Sequence, residues 1–185
     1  KTDPDRSETP SKREHTMDVI VPGIGVEYAI NEFQTVSVGV HKGFAPPGPG
    51  TSGVTDKAVD PETSMNTEIG FKSNKGLNSL EFTLFMNSYD NLLGADTAAS
   101  GGGSDELFNG GAVDISGFEL YLRRILVDNG RIQMPFELSW TNTSSEFQES
   151  FDGFWGEVSK GDELPYLPDT MIALNLGLNV DKLSA

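Results

Sequence analysis

Cysteine is absent from the 185-residue chain, which excludes a disulfide framework and any thiolate metal site and leaves the redox compartment unread. Histidine occurs only as His15 and His41, too few for an imidazole cluster. Cations are scarce: 13 Lys and Arg stand against 28 Asp and Glu, a formal net charge of -15. A surface that tracks phosphates needs clustered cations, so nucleic acid is not an expected partner. No apolar run approaches the roughly 18 residues of a transmembrane helix. The N-terminal KTDPDRSETPSKREHTMD lacks the apolar centre of a signal peptide. The mean hydropathy of -0.31 does not separate a soluble chain from a barrel wall, where only alternate residues meet lipid.

Catalytic signatures are missing too. The sequence holds no G-x-S-x-G elbow, no phosphate-binding P-loop and no H-E-x-x-H. Asp105–Gly110 begins like a calcium loop, but Leu107 stands where a third oxygen ligand belongs and Ser116 where the closing glutamate belongs. No catalytic residue, resident metal or cofactor is therefore assigned, and the chain is not expected to be an enzyme.

What is present is alternation with the period of a strand. Ile24, Val26, Tyr28 and Ile30 share one face, as do Val36, Val38 and Val40, then Thr67, Ile69 and Phe71. The pattern returns in Leu80, Phe82, Leu84 and Met86, in Phe118, Leu120 and Leu122, and in Ile132, Met134, Phe136, Leu138 and Trp140. It closes with Ile172, Leu174, Leu176, Leu178 and Val180. The opposite parity carries Glu27, Glu68, Lys72, Glu81, Glu119, Arg123 and Glu137 among Ser, Asn, Gln and Gly. Tight turns are expected around residues 31–34, 74–76 and 127–130, where Asp128-Asn129-Gly130 is the strongest hairpin signal.

Between those turns lie stretches of about 17 or more residues without a period, the last from about residue 143 to 168. Long structureless connections are uncommon in compact soluble domains. Short turns at one end and long loops at the other are the habit of outer-membrane barrels. Pro135, inside a clear strand, deletes a ladder donor and predicts a bulge or a place near the short-turn rim.

VIVPGIGVEYAI, VSVGVHKGFAPPGPG, NSYDNLLGAD, FNGGAVDISGFEL and GDELPYLPDT resemble the C-terminal barrel of TonB-dependent outer-membrane receptors, and within them receptors for ferric citrate and similar iron chelates. The resemblance runs from about Asp18 onward. It implies an all-β fold: about seven antiparallel strands of a transmembrane barrel of roughly 22. Residues 1–16 read as a surface loop and 17–185 as barrel, with the plug domain outside this chain. Many relatives carry a cysteine pair in the loop after YDNLL, and this chain does not.

That resemblance implies uptake of a ferric chelate across a Gram-negative-type outer membrane. The TonB–ExbB–ExbD complex would supply the energy through the plug. Val36, Val38, Val40, Leu80, Phe82, Leu84, Phe118, Leu120, Leu122, Leu174, Leu176 and Leu178 would face lipid, with Phe44 and Trp140 in the interfacial belt. Lys42 shares the valines' parity and belongs at or above the rim. His41 and Arg123, on the polar parity, are the candidate substrate contacts, because cations attract anionic chelates in a low-dielectric cleft. The remaining glutamates are expected to pair across strands with Lys72 and Arg123 or to meet the plug. A soluble β-sandwich adhesin or binding module would use the same stripes as a core, and a small barrel hydrolase would need a nucleophile the sequence does not display.

Overall fold

Alternation at this strength produces one continuous antiparallel sheet. The computed structural model describes residues 18–46, 60–95, 107–153 and 156–180; residues 1–16, read above as a loop, lie outside them. The strands are β1 (Gly23–Asn31), β2 (Gln34–Ala45), β3 (Glu62–Lys75), β4 (Asn78–Asp90), β5 (Leu93–Ala95), β6 (Leu107–Asn109), β7 (Val113–Asp128), β8 (Ile132–Phe147), β9 (Phe151–Gly153), β10 (Gly156–Val158), β11 (Thr170–Leu176) and β12 (Asn179–Val180). In the main sheet the order is β1-β2-β3-β4-β7-β8-β11, with β12 also on β8, while β5–β6 and β9–β10 are separate hairpins. The long strands lie side by side in chain order, as an up-and-down wall requires.

The tight turns close where the sequence placed them. Gly76 takes φ +61° at the first central position of a two-residue loop between Lys75 and Asn78, the position where a hairpin turn of this hand wants glycine. At the next hairpin Asp128 Oδ1 accepts from Gly130 N, and Asn129 Oδ1 accepts from the Arg131 and Ile132 amides. Those side chains take up backbone donors that the ladder leaves free. Pro46 follows β2 directly, so the proline cluster stops the ladder as its missing N–H dictates.

Register turns seven stripes into one apolar surface. Tyr28, Val36, Phe71, Phe82, Leu120, Trp140 and Ile172 form a single row across the sheet. Val26, Val38, Ile69, Leu84 and Phe118 form the row beside it. Phe118 meets Trp140 edge-on at 5.0 Å between ring centroids, a favourable aromatic geometry. The band slides along the ladder: its unbroken apolar run ends toward the long connections at Val40 in β2 and Met86 in β4, but at Phe118 in β7 and Trp140 in β8, one row and two rows nearer the short turns. A band of constant height crosses hydrogen-bonded rows obliquely when strands tilt, as barrel strands do by about 35–45°.

Nothing among the described residues covers this band. Val38, Ile69 and Leu84 are 50%, 51% and 44% exposed in interior strands of the sheet. A sandwich would bury them against a second layer, and the described residues form none, so the sandwich architecture does not fit. No helix among the described residues is long and apolar enough to cross a membrane. β1 and β11 are both open edges. In hydrocarbon each unpaired backbone group of such an edge would cost several kcal/mol.

The sequence underestimated the strands at their long-connection ends. β3 starts at Glu62, β7 at Val113, and β8 continues to Phe147, whereas alternation ended near Thr67, Gly117 and Trp140. The 16 residues of β7 and β8 exceed the roughly 9–11 that span hydrocarbon. A ladder that runs past such a span has no need of apolar alternation there. The stretch 143–168 is not structureless either. Phe147 N donates to Asp162 O, Gly161 N to Phe147 O and Leu164 N to Ser145 Oγ, and Val113, Phe147 and Val158 form a small buried core there.

Pro135 sits at the expected bulge. Ile125 pairs with Pro135 and Val127 with Met134, so β7 carries one extra residue, Leu126. The Ile125 amide donates instead to Asn78 Oδ1 at 3.1 Å. On the other side β11 and β12 are one strand in constant register on β8, interrupted at Gly177 and Leu178 beside the proline. Gly177 N donates to Pro135 O at 2.8 Å, and a Cβ on Gly177 would lie 2.8 Å from Pro135 Cγ.

Two outcomes follow for the full-length parent protein in lipid vesicles. Leu84→Arg, in the middle of the band, should cost about 2–4 kcal/mol of unfolding free energy, and Ser88→Arg, beyond it, about 0–1 kcal/mol; equal costs would remove the band from the membrane. Gly177→Val, overpacking the proline, should cost about 1–3 kcal/mol by the same denaturant titration.

Candidate functional site

The polar face is the side of the sheet with chemistry. Its charges are arranged by register: Lys72 lies opposite Glu81 and Arg123 opposite Glu137. The first pair closes to 2.9 Å (Nζ to Oε1) and the second to 3.6 Å (Nε to Oε1), all four side chains being well exposed. Exposed pairs of this kind are worth about 0–1 kcal/mol each. Glu27, Glu68 and Glu119 share the face and have no basic partner among the described residues.

His41 and Arg123 are not brought together. His41 lies in the row Gly23–His41–Asn66–Asn87, toward the long connections. Arg123 pairs with Ser79, eight residues away along β4, a separation of about 27 Å at the strand rise. Arg123 therefore belongs to the short-turn end with Glu137, and His41 to the end where the long connections gather. Lys42 falls in the row of Met65 and Ser88, the first beyond Val40, and Phe44 one outward position further, opposite Thr63. Trp140 is the last apolar residue of β8 before Asn142.

Sequence reasoning missed Asn66 and Asn87. Asn66 Nδ2 donates to Ser64 Oγ at 3.0 Å, while Asn87 Oδ1 is buried and has no hydrogen-bond partner among the described residues. Glycine makes room here: a Cβ on Gly43 would collide with Ser64 Oγ, and one on Gly23 would come within 2.9 Å of His41 Cβ. Only the register that places 41, 66 and 87 in line could have singled these residues out.

A second feature is a shallow hollow of about 350 Å³ in the middle of the polar face, lined by Gly25, Glu27, Ser37, Gly39, Glu68 and Gly70. Its glycines differ in kind. A Cβ on Gly70 would meet Ser37 Oγ at 2.5 Å, and one on Gly117, further along the sheet, would strike Asn142 O and come within 2.8 Å of Phe85 Cζ. Those glycines serve the sheet's own packing. A Cβ on Gly39 would meet nothing within 4 Å, and one on Gly25 would make only an ordinary contact at 3.7 Å. Neither has a positive φ, so neither the backbone nor the neighbours of these cross-strand partners require glycine. A close-approaching partner would.

No metal-binding group of acids and histidines occurs among the described residues. Asp105 and Glu106 of the calcium-like stretch lie outside them, and the next three residues form β6, paired with β5.

The family model described as TonB dependent receptor-like, beta-barrel, matches residues 1–183. Among solved structures the chain is similar to the ferripyoverdine receptor of the outer membrane of Pseudomonas aeruginosa, bound to ferripyoverdine: 17% identity, TM-score 0.59, 84% of this chain and 20% of that one. It is also similar to the siderophore receptor PirA of Pseudomonas aeruginosa, at 21% identity and TM-score 0.52 over 69% of this chain and 27% of that one. The FrpB iron transporter of Neisseria meningitidis matches at 19% identity and TM-score 0.51 over 69% and 20%. No curated protein matches. The chain thus spans about a fifth to a quarter of these solved receptors.

The glycine contrast is directly measurable. Gly117→Val in the parent protein should lower its unfolding midpoint, at a cost of about 1–3 kcal/mol, whereas Gly39→Val should leave the strand pairing of the wall intact, judged by the infrared amide I band and its melting.

Proposed function

We propose, from the premise that this chain belongs to the TonB-dependent receptor β-barrel family, that it forms one stretch of the wall of an outer-membrane transporter for ferric chelates. The observation that carries the reading is the division of a single-layer sheet into an uncovered apolar face and a polar face with a glycine-lined hollow. Lipid suits the first. The second suits a water-filled lumen and a tightly fitting internal segment.

In this reading the Val36–Val40 stripe, Leu80–Leu84, Phe118–Leu122 and the Leu174–Leu178 stripe contact acyl chains, and Phe44 and Trp140 sit toward the headgroups. The hollow at Gly25 and Gly39 receives the plug, a part of the protein outside this chain. Coupling to TonB, and through it to ExbB and ExbD, passes through that plug, because a wall of continuous ladders is suited to holding shape and not to moving. His41, at the mouth, is the better placed of the two candidate contacts. Arg123 braces the opposite end with Glu137. The wall makes and breaks no covalent bonds; it binds, guides and seals.

The similarity of the fold to receptors whose names specify siderophores and iron supports iron chelates as cargo. A strain lacking the parent gene and grown under iron limitation should lose uptake of at least one ferric chelate, with recovery when the intact gene is returned. Unchanged uptake of every ferric chelate tested would overturn the assignment.

A further inference from the structure

We propose that Lys75, Asn78 and Arg124, on the outward face at the short-turn end of the wall, form a binding site for the headgroup of an anionic phospholipid in the adjoining leaflet. The inference rests on the reading above that the apolar band faces lipid, and it names the lipid that meets the band's short-turn edge.

Parity and register assemble the site. Lys75 lies opposite Asn78, and Asn78 borders Arg124, one step beyond the Ser79–Arg123 pair. All three share the parity of the apolar band, whose run toward the short turns ends at Phe71 in β3, Leu80 in β4 and Leu122 in β7. Asn78 and Arg124 occupy the next outward positions after Leu80 and Leu122, and Lys75 the second after Phe71. A cation on a lipid-facing parity is costly at the midplane and nearly free at the interface. The edge of the band therefore puts these groups at headgroup height. Exposed Leu77 and Leu126 flank them, apolar partners for the first methylenes of an acyl chain.

Both charges are uncompensated. The ion pairs Lys72–Glu81 and Arg123–Glu137 lie on the polar face, whereas Lys75 and Arg124 are exposed and meet no carboxylate among the described residues. Asp128, near in sequence, takes the polar parity opposite Gln133. Lys75 Nζ stands 5.4 Å over the Phe33 ring, a contact that holds the side chain without neutralising it. Asn78 Oδ1 accepts from the Ile125 amide at 3.1 Å, which fixes the side chain and leaves its Nδ2 as a donor beside the guanidinium. A guanidinium offers a planar fork of donors to a phosphodiester, and an ammonium a compact point charge. The two backbones are two strand spacings apart, about 10 Å.

The opposite edge of the same face has the opposite sign. Beyond the band toward the long connections, the outward strand positions carry Asp90, Asp114 and Glu146, with Lys42 the one cation on the described strands there. Anionic headgroups are thus repelled at that edge and attracted at this one. A zwitterionic headgroup carries its own ammonium and gains little from either cation. Each Lys or Arg at a membrane surface favours an anionic lipid by about fivefold.

The test uses the full-length parent protein with Leu77→p-benzoylphenylalanine, a photoreactive side chain beside the site, in vesicles of equal phosphatidylglycerol and phosphatidylcholine. On illumination, labelled phosphatidylglycerol should exceed labelled phosphatidylcholine by about fivefold or more, as read by mass spectrometry. Lys75→Gln with Arg124→Gln should bring the ratio close to one. Lys75→Arg with Arg124→Lys, which keeps both charges, should retain the preference, and so should Lys72→Gln on the polar face. Equal labelling of the two lipids, a preference that survives the double glutamine substitution, or labelling of a protein in place of lipid in intact cells would overturn the site and leave the lipid-facing wall in place. Absence of lipid labelling both here and from the same photoreactive residue at Leu84, in the middle of the band, would instead overturn the wall reading, and this proposal with it.

Discussion

The fold depends on a single requirement: every backbone N–H and C=O that enters hydrocarbon must find a partner in the protein. Antiparallel ladders meet it for the interior strands. They hold constant register over long distances, broken only at Asn31 and at the Pro135 bulge among the described residues. That constancy lines up residues from seven strands, so stripes that mean little singly become one apolar band. The band is then a consequence of that constant register.

Pro135 illustrates how local chemistry is absorbed without breaking the wall. On one side the ladder is rearranged around it, with an extra residue in β7 and the Ile125 amide donating to Asn78 Oδ1. On the other side a glycine lets the neighbouring strand pass and donate to the proline carbonyl. Three separate stretches of sequence share the accommodation. The polar face shows a comparable division of labour: ion pairs at the short-turn end, a hollow with spare space in the middle, and neutral hydrogen-bonding groups where the long connections converge.

The long-connection end is built up beyond the apolar band. β7 and β8 rise past the apolar band and carry a small core of Val113, Phe147 and Val158, with Tyr89, Leu92, Phe151 and Leu164 packed around it. The connection after β8 is thereby folded onto the sheet, with backbone bonds to Phe147 and Ser145 fixing its path.

Alternation by itself left out the short hairpins β5–β6 and β9–β10 but determined the seven strands of the main sheet's path, the three tight turns, the stop at Pro46 and which residues face which side. Each is a local matter of period, φ and missing donors, which a sequence displays openly. It saw the strands only as far as the apolar alternation runs, and so lost Glu62–Asn66, Val113–Ser116 and Asn142–Phe147, where the ladder continues without it. It grouped His41 with Arg123 because both share a parity, but parity fixes a face and not a height. Only the tertiary register could separate them, bring Asn66 and Asn87 beside His41, and distinguish glycines that the sheet needs from those it does not, because these properties belong to pairs of residues far apart in the chain.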